Sequence, residues 1–464
     1  MTVLGHRFHP AILRDYDIRG EVGRTLRIAD AVALGMAFGS RLIEAGGDTV
    51  AVARDGRLSS PDLAAALIDG LTATGVTVLS VGRGPTPMLF FAVEALKADA
   101  GIIVTASHNP ADHNGFKMVM GGRPLFGPDI RALGARAAAG DFLSGDGAVE
   151  EREVADAYVA RLLRDIAPAR PLSVVWDCGN GATGPLAEAL ARRLPGRHRV
   201  LFSEVDGRFP HHHPDPAVAD NLAPLAAAVR AEGADLGVAF DGDGDRLGVV
   251  DETGEILWGD RILALLAEGV LARHPGSKVI ADVKSSQTLF DEIRRLGGTP
   301  LMSRTGHSLI RARMAEEGAP LAGEMSGHIF FADRYYGFDD ALYAALRLIE
   351  GLAARAGGLS AWHGALPRLP ATPEVRIPCA EEEKFAVVDA VAAALAVEGA
   401  EVGTVDGVRV TTAEGWWLLR ASNTRAEITV RAEAATEAGL AAAVAAVAAH
   451  LAAAGVAVPE ALQA

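Results

Sequence analysis

The feature that most constrains the fold is an alternation that runs through about residue 365. Short apolar runs at 49–53, 76–81, 101–105, 172–176, 199–202, 236–240, 278–282 and 300–302 are separated by Ala/Leu-rich stretches at 61–74, 183–194, 223–232, 259–273 and 286–296. Short apolar runs bounded by turn residues and alternating with helical lengths predict βα units with parallel or mixed sheets. Several runs end in a polar residue at the turn (Arg54-Asp55, Asp177, Asp241, Lys284), which suggests repeated domains. From Leu366 the pattern changes. Pro367, Pro370, Pro373 and Pro378 read as a semi-rigid linker. A helix at 381–397, a meander of short segments at 408–411, 416–420 and 427–431, and an Ala-rich final helix follow. Four domains are therefore expected: 1–150, 151–253 and 254–366, each α/β, and 367–464, an α+β unit whose Pro-rich connection makes it a candidate for hinge motion.

Composition narrows the function. Half of the 464 residues are hydrophobic and 22% are charged, enough for several packed cores and incompatible with a disordered chain. The formal net charge of −15 argues against general nucleic-acid binding, which needs a basic footprint. An anionic ligand can still be bound where cations and backbone N–H groups concentrate, and with only five lysines among 44 basic residues each Lys is easy to inspect. Cys178 and Cys379, about two hundred residues apart, offer neither a disulfide framework nor a CxxC site, which points to a reducing cytoplasm. The first ten residues are too polar for a signal peptide, and the Ala-rich stretch 439–458 reads as a surface helix rather than a membrane span.

Five segments carry chemistry. Thr105-Ala106-Ser107-His108-Asn109-Pro110 follows an apolar run directly, placing it at the carboxyl edge of a sheet, where open α/β sheets bind ligands. Ser107 and His108 adjoin, but neighbours on an extended strand face opposite ways, so adjacency alone predicts no Ser–His dyad. The plain alternative is a polar strand-to-turn junction. Asp241-Gly242-Asp243-Gly244-Asp245-Arg246 puts three carboxylates at alternate positions between glycines that allow positive φ, an oxygen-rich set suited to Mg²⁺. An EF-hand fails because Arg246 stands where its loop requires Gly; a metal-free acidic turn is the bland alternative. Gly179-Asn180-Gly181-Ala182-Thr183-Gly184, with Glu204 downstream, matches the dinucleotide spacing, but Asp177 and Cys178 displace the tight turn from its strand, favouring an ordinary glycine-rich turn over NAD(P). Gly323-Glu324-Met325-Ser326-Gly327-His328 sets a carboxylate and a hydroxyl where they can bond sugar hydroxyls. Arg420-Ala421-Ser422-Asn423-Thr424 has a phosphate-binding composition. A solvated loop competes with both readings, and is favoured for His211-His212-His213 among its prolines.

Together, TASHNP ending at Pro110, DGDGDR at 241–246, GEMSG at 323–327 and RxSNT at 420–424 occur in order, one per domain. On these motifs the sequence resembles the α-D-phosphohexomutase superfamily, bacterial phosphomannomutase/phosphoglucomutase branch, over essentially its whole length. The resemblance implies four domains around a central cleft: three related α/β/α mixed-sheet domains and a C-terminal α+β domain similar to the TATA-binding-protein fold. It implies a phosphoserine at Ser107 beside Mg²⁺ held by Asp241, Asp243 and Asp245 with a phosphoserine oxygen as a fourth ligand. It places Glu324 and Ser326 on sugar hydroxyls, and Arg420, Ser422, Asn423 and Thr424 on the phosphate not being transferred. Arg14-Asp15-Tyr16-Asp17-Ile18-Arg19-Gly20 is similar to the family's opening motif, which puts Tyr16 and Arg19 by the substrate. His108, Lys117, Arg246, Lys284, His307 and His328 fall at site-lining positions, with Lys117, His307 and His328 as candidates for proton transfer. Arg425 stands where many relatives have Pro.

The activity implied is reversible phosphoryl transfer between C1 and C6 of mannose or glucose phosphates through a hexose 1,6-bisphosphate, by a cytoplasmic monomer or weak homo-oligomer with no nucleic-acid or membrane partner. Phosphoglucosamine mutase of the same superfamily, an NAD(P) oxidoreductase and a non-catalytic sugar-phosphate binder are the rival readings.

Overall fold

The computed structural model describes residues 5–398, 400–423 and 426–463, and four sheets organise them. In the first, Ala100–Val104, Thr49–Arg54, Thr77–Arg83 and Val149–Glu151 run parallel, while His113–Met120 and Ile18–Glu21 extend the other edge antiparallel. In the second, Gly196–Leu201, Leu172–Asp177 and Leu236–Phe240 are parallel, and Leu247–Asp251 turns back antiparallel. In the third, Thr299–Ser303, Lys278–Asp282 and Leu321–Gly323 are parallel, and Ile329–Phe331 turns back. The fourth sheet is wholly antiparallel, ordered Val375–Pro378, Glu427–Ala434, Gly415–Ala421, Val408–Thr411 and Val402–Gly403.

The first three sheets thus share a device. A buried parallel strand is followed by an antiparallel return, and the loop joining the two holds a sequence motif: 105–112, 241–246 and 324–328. Local signals delimit the intervening helices. Ala223–Glu232 starts with Pro224 in its first turn and ends on Gly233 in the left-handed region at φ 58°, where its last carbonyls are capped.

One apolar core runs from helix Thr86–Leu96 through Trp176 and Phe240 to helices Gly259–Arg273 and Ala341–Ala353, so the first three units pack as one body. The fourth unit has its own core around Trp417, Ile428 and Val447. It meets the third through Val283, Trp416 and Leu418. The Pro-rich segment is less free than its composition predicts. From Pro370 onward it pairs with the edge of Glu427–Ala434, where Ala434 N donates to Pro370 O, Thr372 N donates to Ala432 O, and Val375–Pro378 completes the ladder. Arg261 also binds the carbonyls of Leu366 and Pro367. Edge-strand backbone that finds a ladder partner overrides the linker composition. No helix among the described residues is long and apolar enough to cross a membrane.

Asp340 joins two of these units. It caps helix Ala341–Ala353 by accepting from Tyr343 N at 2.9 Å, and it accepts from the hydroxyls of Tyr158 at 2.8 Å and Tyr335 at 2.7 Å. Burial nevertheless pushes its carboxyl up to about 6, because three hydrogen bonds do not replace bulk hydration. A raised native pKa stabilises the fold below the unfolded value, and that contribution is lost as pH rises through about 6. Asp340→Asn stays neutral throughout. Its unfolding free energy from urea denaturation, relative to wild type, is therefore expected to move in its favour between pH 4.5 and 7, by on the order of 1–3 kcal/mol.

Candidate active site

The loop after Ala100–Val104 does not continue extended. Ser107 sits at φ 51° with its N–H on Thr105 Oγ1 at 2.9 Å. This left-handed turn brings Ser107 Oγ within 3.1 Å of His108 Nδ1. The expectation that adjacent side chains diverge is corrected here: the strand ends at Val104, and the alternating geometry ends with it. Ser107 Oγ also donates to Asp241 Oδ2 at 2.5 Å. The nucleophile candidate and the acidic loop, 134 residues apart in sequence, are in direct contact.

That approach requires glycine at 242, where a Cβ would lie 2.5 Å from Ser107 O, and at 244, held at φ +75°. The curled loop aims all three carboxylates at one centre, with an oxygen from each within 4.8 Å of the others. All three residues are fully buried. Asp241 Oδ1 accepts the N–H groups of Asp245 and Arg246, and Asp243 Oδ2 accepts from Thr86 Oγ1 at 2.5 Å. Lys117 Nζ bridges Asp243, at 2.7 Å, and Asp245. Asp243 Oδ1 and Asp245 Oδ1 are buried with no hydrogen-bond partner. Orphaned carboxylate oxygens in a buried, all-oxygen set are the donors a hard cation takes, so these residues fit Mg²⁺.

The surrounding charges set each group's state. Burial opposes the Lys117 ammonium, but Asp243, Asp245 and Asp241 outweigh it and hold Lys117 well above the usual lysine range. His307, first residue of helix His307–Glu317, is pushed down to about 3 by burial and then by Lys117. Its ring stacks on that of His328 at 5.4 Å. His328 is engaged at both nitrogens: Arg246 Nε donates to Nε2 at 3.0 Å, and Nδ1 lies 2.8 Å from Asp339 Oδ2. Burial disfavours charge on His328, while Asp245 and Asp339 raise its pKa overall. In the neutral ring, the Arg246 N–H aimed at Nε2 places the remaining proton on Nδ1, toward Asp339.

The other motifs converge from further off. Glu324 Oε1 accepts from Gly306 N at 3.0 Å, and Oε2 accepts from Ser326 Oγ at 2.9 Å. Arg420 Nε donates to Asp406 Oδ2 at 3.0 Å, and Thr305 N donates to the same oxygen. Tyr16 OH donates to Thr305 O at 2.7 Å and accepts from Asn423 Nδ2 at 2.7 Å, so the first, third and fourth units meet on one phenol. Arg19 binds Asn109 Oδ1 at 2.7 Å and pairs with Asp17. Ser422 N donates to Glu427 O beside this contact. Lys284 lies at the seam of the third and fourth units, paired with Glu374 at 2.9 Å. Thr424 and Arg425 lie outside the described residues.

The glycine-rich turn at 179–184 is not an open cradle. Ala182 N donates to Gly242 O, Asn180 is held by Glu204 O and His211, and a Cβ at Gly181 would lie 2.9 Å from Gly242 O. The turn buttresses the acidic loop and leaves no groove for a pyrophosphate. The His211–His213 segment also departs from the solvated-loop reading, since His211 stacks on Phe202 and His212 lies 3.1 Å from Asp177.

Four residues that pattern reading passed over matter here. Arg57, fully buried, donates to the carbonyls of Ser107, Asn109, Pro110 and His113. Thr86, Asp339 and Asp406 hold Asp243, His328 and Arg420. The only sequence signal for Arg57 is the polar Arg54-Asp55 turn just before it; the other three stand in no distinctive local pattern.

A serine on a carboxylate triad, with the Glu324 and Arg420 loops tied into the same network through Gly306, Thr305 and Tyr16, defines a multidomain α/β architecture whose motif loops from four units are linked by contacts. Family models described as phosphoglucomutase/phosphomannomutase alpha/beta/alpha domains I, II and III match residues 11–144, 156–254 and 258–369, and the C-terminal domain of that family matches 374–450. The chain belongs to the phosphoglucomutase/phosphomannomutase family of the α-D-phosphohexomutase superfamily. It is 47% identical over 427 residues to the phosphomannomutase/phosphoglucomutase of Pseudomonas aeruginosa, covering 92% of each chain. It is 44% identical over 433 residues to the phosphoglucomutase of Neisseria gonorrhoeae, covering 92% of this chain and 94% of that one. A crystal structure of a phosphoglucomutase/phosphomannomutase family protein from Burkholderia thailandensis superposes with a TM-score of 0.92 at 47% identity, over 97% of this chain and 98% of that one.

Proposed function

We propose that this protein reversibly moves a phosphoryl group between C1 and C6 of mannose or glucose phosphate, by way of a phosphorylated Ser107 and a hexose 1,6-bisphosphate. The observation that carries this reading is the contact of Ser107 Oγ with Asp241 in a buried carboxylate triad. Taking the units as 1–150, 151–253, 254–366 and 367–464, the first supplies the phosphoserine, the second the metal ligands, the third the sugar contacts and the fourth the phosphate clamp.

Phosphoryl transfer is governed by positioning and charge neutralisation more than by covalent assistance. Asp241, Asp243 and Asp245 would hold Mg²⁺, which when bound neutralises charge on the phosphoryl oxygens. Glu324 and Ser326 orient the sugar through its hydroxyls, and Arg420 and Asn423 grip the phosphate at rest. In the first transfer the free sugar hydroxyl attacks phosphorus, the bond from phosphorus to Ser107 Oγ breaks, and the hydroxyl proton passes to a protein base. In the second, Ser107 Oγ attacks the other phosphate of the reoriented bisphosphate, and the released sugar oxygen regains a proton.

Of the three proton-transfer candidates, Lys117 is held cationic between two carboxylates and acts as a counter-charge or donor. His328 has both nitrogens engaged. His307 is neutral and lines a small cavity with Tyr16 and Lys117, so it can accept a hydrogen bond from a sugar hydroxyl, but a ring pushed down to about 3 is poorly matched to taking the proton outright.

The test is transfer of a label. Enzyme carrying ³²P on Ser107, given unlabelled glucose 1-phosphate, is expected to yield labelled bisphosphate and then glucose 6-phosphate, with turnover lost on chelation and restored by Mg²⁺. Label that stays on the protein while the sugar isomerises would sink the reading. Running mannose, glucose and glucosamine phosphates side by side identifies the preferred sugar, and a preference for glucosamine 6-phosphate would reassign the enzyme within its superfamily.

A further inference from the structure

Away from this centre, two arginines face one cavity without a hydrogen-bonded or ion-paired carboxylate among the described residues. Arg54 and Arg83 end the parallel strands Thr49–Arg54 and Thr77–Arg83 and stand opposite each other in register. Neither guanidinium has a hydrogen-bond or ion-pair partner among the described residues. Burial, and then Arg83, hold Arg54 below the ordinary arginine range. They line a cavity of about 420 Å³ bounded on its far side by the 204–208 segment of the second unit, where Asp206 is committed to a bidentate pair with Arg208 and Glu204 adds one exposed carboxylate against the two guanidinium groups. Exposed Leu58, at 68%, flanks the opening. Neither Ser107 nor any residue of the triad lines this cavity.

The carboxyl ends of adjacent parallel strands are where α/β sheets receive ligands. Paired guanidinium forks without ion-pair partners match the oxygens of a phosphate dianion in geometry and charge. The volume also admits more than the phosphate alone. We infer that the cavity between the first and second units is a second anion site, in which Arg54 and Arg83 bind a phosphate group, free or as the monoester of a small molecule that rests on Leu58. The site shares one wall with the catalytic loop, since Arg57 lines the cavity and also grips the carbonyls of Ser107 and Asn109.

Inorganic phosphate titrated into the full chain at low ionic strength, followed by equilibrium dialysis, tests this. Wild type is expected to show two binding classes per chain. The double variant Arg54→Gln/Arg83→Gln is expected to keep one class unchanged and to weaken the other at least about tenfold, with kcat and KM for glucose 1-phosphate within twofold of wild type. Arg83→Gln alone, at an exposed side chain, gives a milder loss of the same class and guards against misfolding of the double variant. Competition by glucose 6-phosphate at the weakened class assigns it to esters, and indifference assigns it to free phosphate. Identical binding curves for wild type and both variants, or parallel loss of both classes together with activity, would overturn the inference.

Discussion

Wild type incubated with a hexose 1,6-bisphosphate is expected to gain the intact mass of one phosphoryl group, and Ser107→Ala is expected to abolish that gain and to lower kcat by at least about 10⁴-fold, the scale set by removing other enzyme nucleophiles. The hydroxyl makes the hydrogen bond to Asp241, and its removal leaves the loop's backbone anchor on Arg57 untouched. Folding and sugar-phosphate binding should therefore survive. Intact-mass spectrometry, turnover and a binding titration on one preparation separate the outcomes. A variant that still takes up phosphate would place the acceptor elsewhere, and one that binds sugar phosphate as wild type does but never turns over is the expected result.

Arg57→Ala is the second large effect, and its size comes from what the guanidinium holds. One side chain donates to four carbonyls of the 107–113 segment and lies 3.2 Å from Asp55. Burial dominates for both partners, pushing Asp55 up and Arg57 down, so the pair is poorly explained as a source of stability. It is better explained as the mould for the turn that puts Ser107 at positive φ. Removing Arg57 leaves Asp55 buried without its partner, which costs about 3–5 kcal/mol, and frees a loop whose misplacement by about 1 Å can lower kcat roughly 10²-fold. Arg57→Lys keeps a charge but cannot span four acceptors. It should recover part of the thermal stability and little of the kcat. Recovery of both together would mean that charge, not the fork, is what the loop needs.

Much of the fold was legible because it rests on short-range chemistry. The strands Leu236–Phe240 and Lys278–Asp282 and the helices Ala223–Glu232 and Gly259–Arg273 have the bounds that their apolar runs and terminal Gly, Pro or Arg residues imply. The acidic loop was legible for a similar reason. Three carboxylates spaced by glycines suit a cation better than a bare acidic turn, and the structure brings an oxygen of each onto one centre. Errors arose where a local rule met a partner supplied from afar. Ser107 and His108 meet because Arg57, fifty residues earlier, curls the loop. The Pro-rich segment is tied down because the strand Glu427–Ala434 offers it an open edge.

What the sequence by itself determined is therefore the set of parts: βα units, a distinct last domain, and loops whose residue types name their chemistry. Only the tertiary structure decided that those loops share one centre. The first three units each send a loop inward between a parallel strand and its antiparallel return, and Tyr16 and Asn423, 407 residues apart, close the ring with one hydrogen bond. Arg57, Asp339 and Asp406 became visible only there. A buried charge is defined by the groups that surround it, and for these residues those groups come from distant stretches of chain.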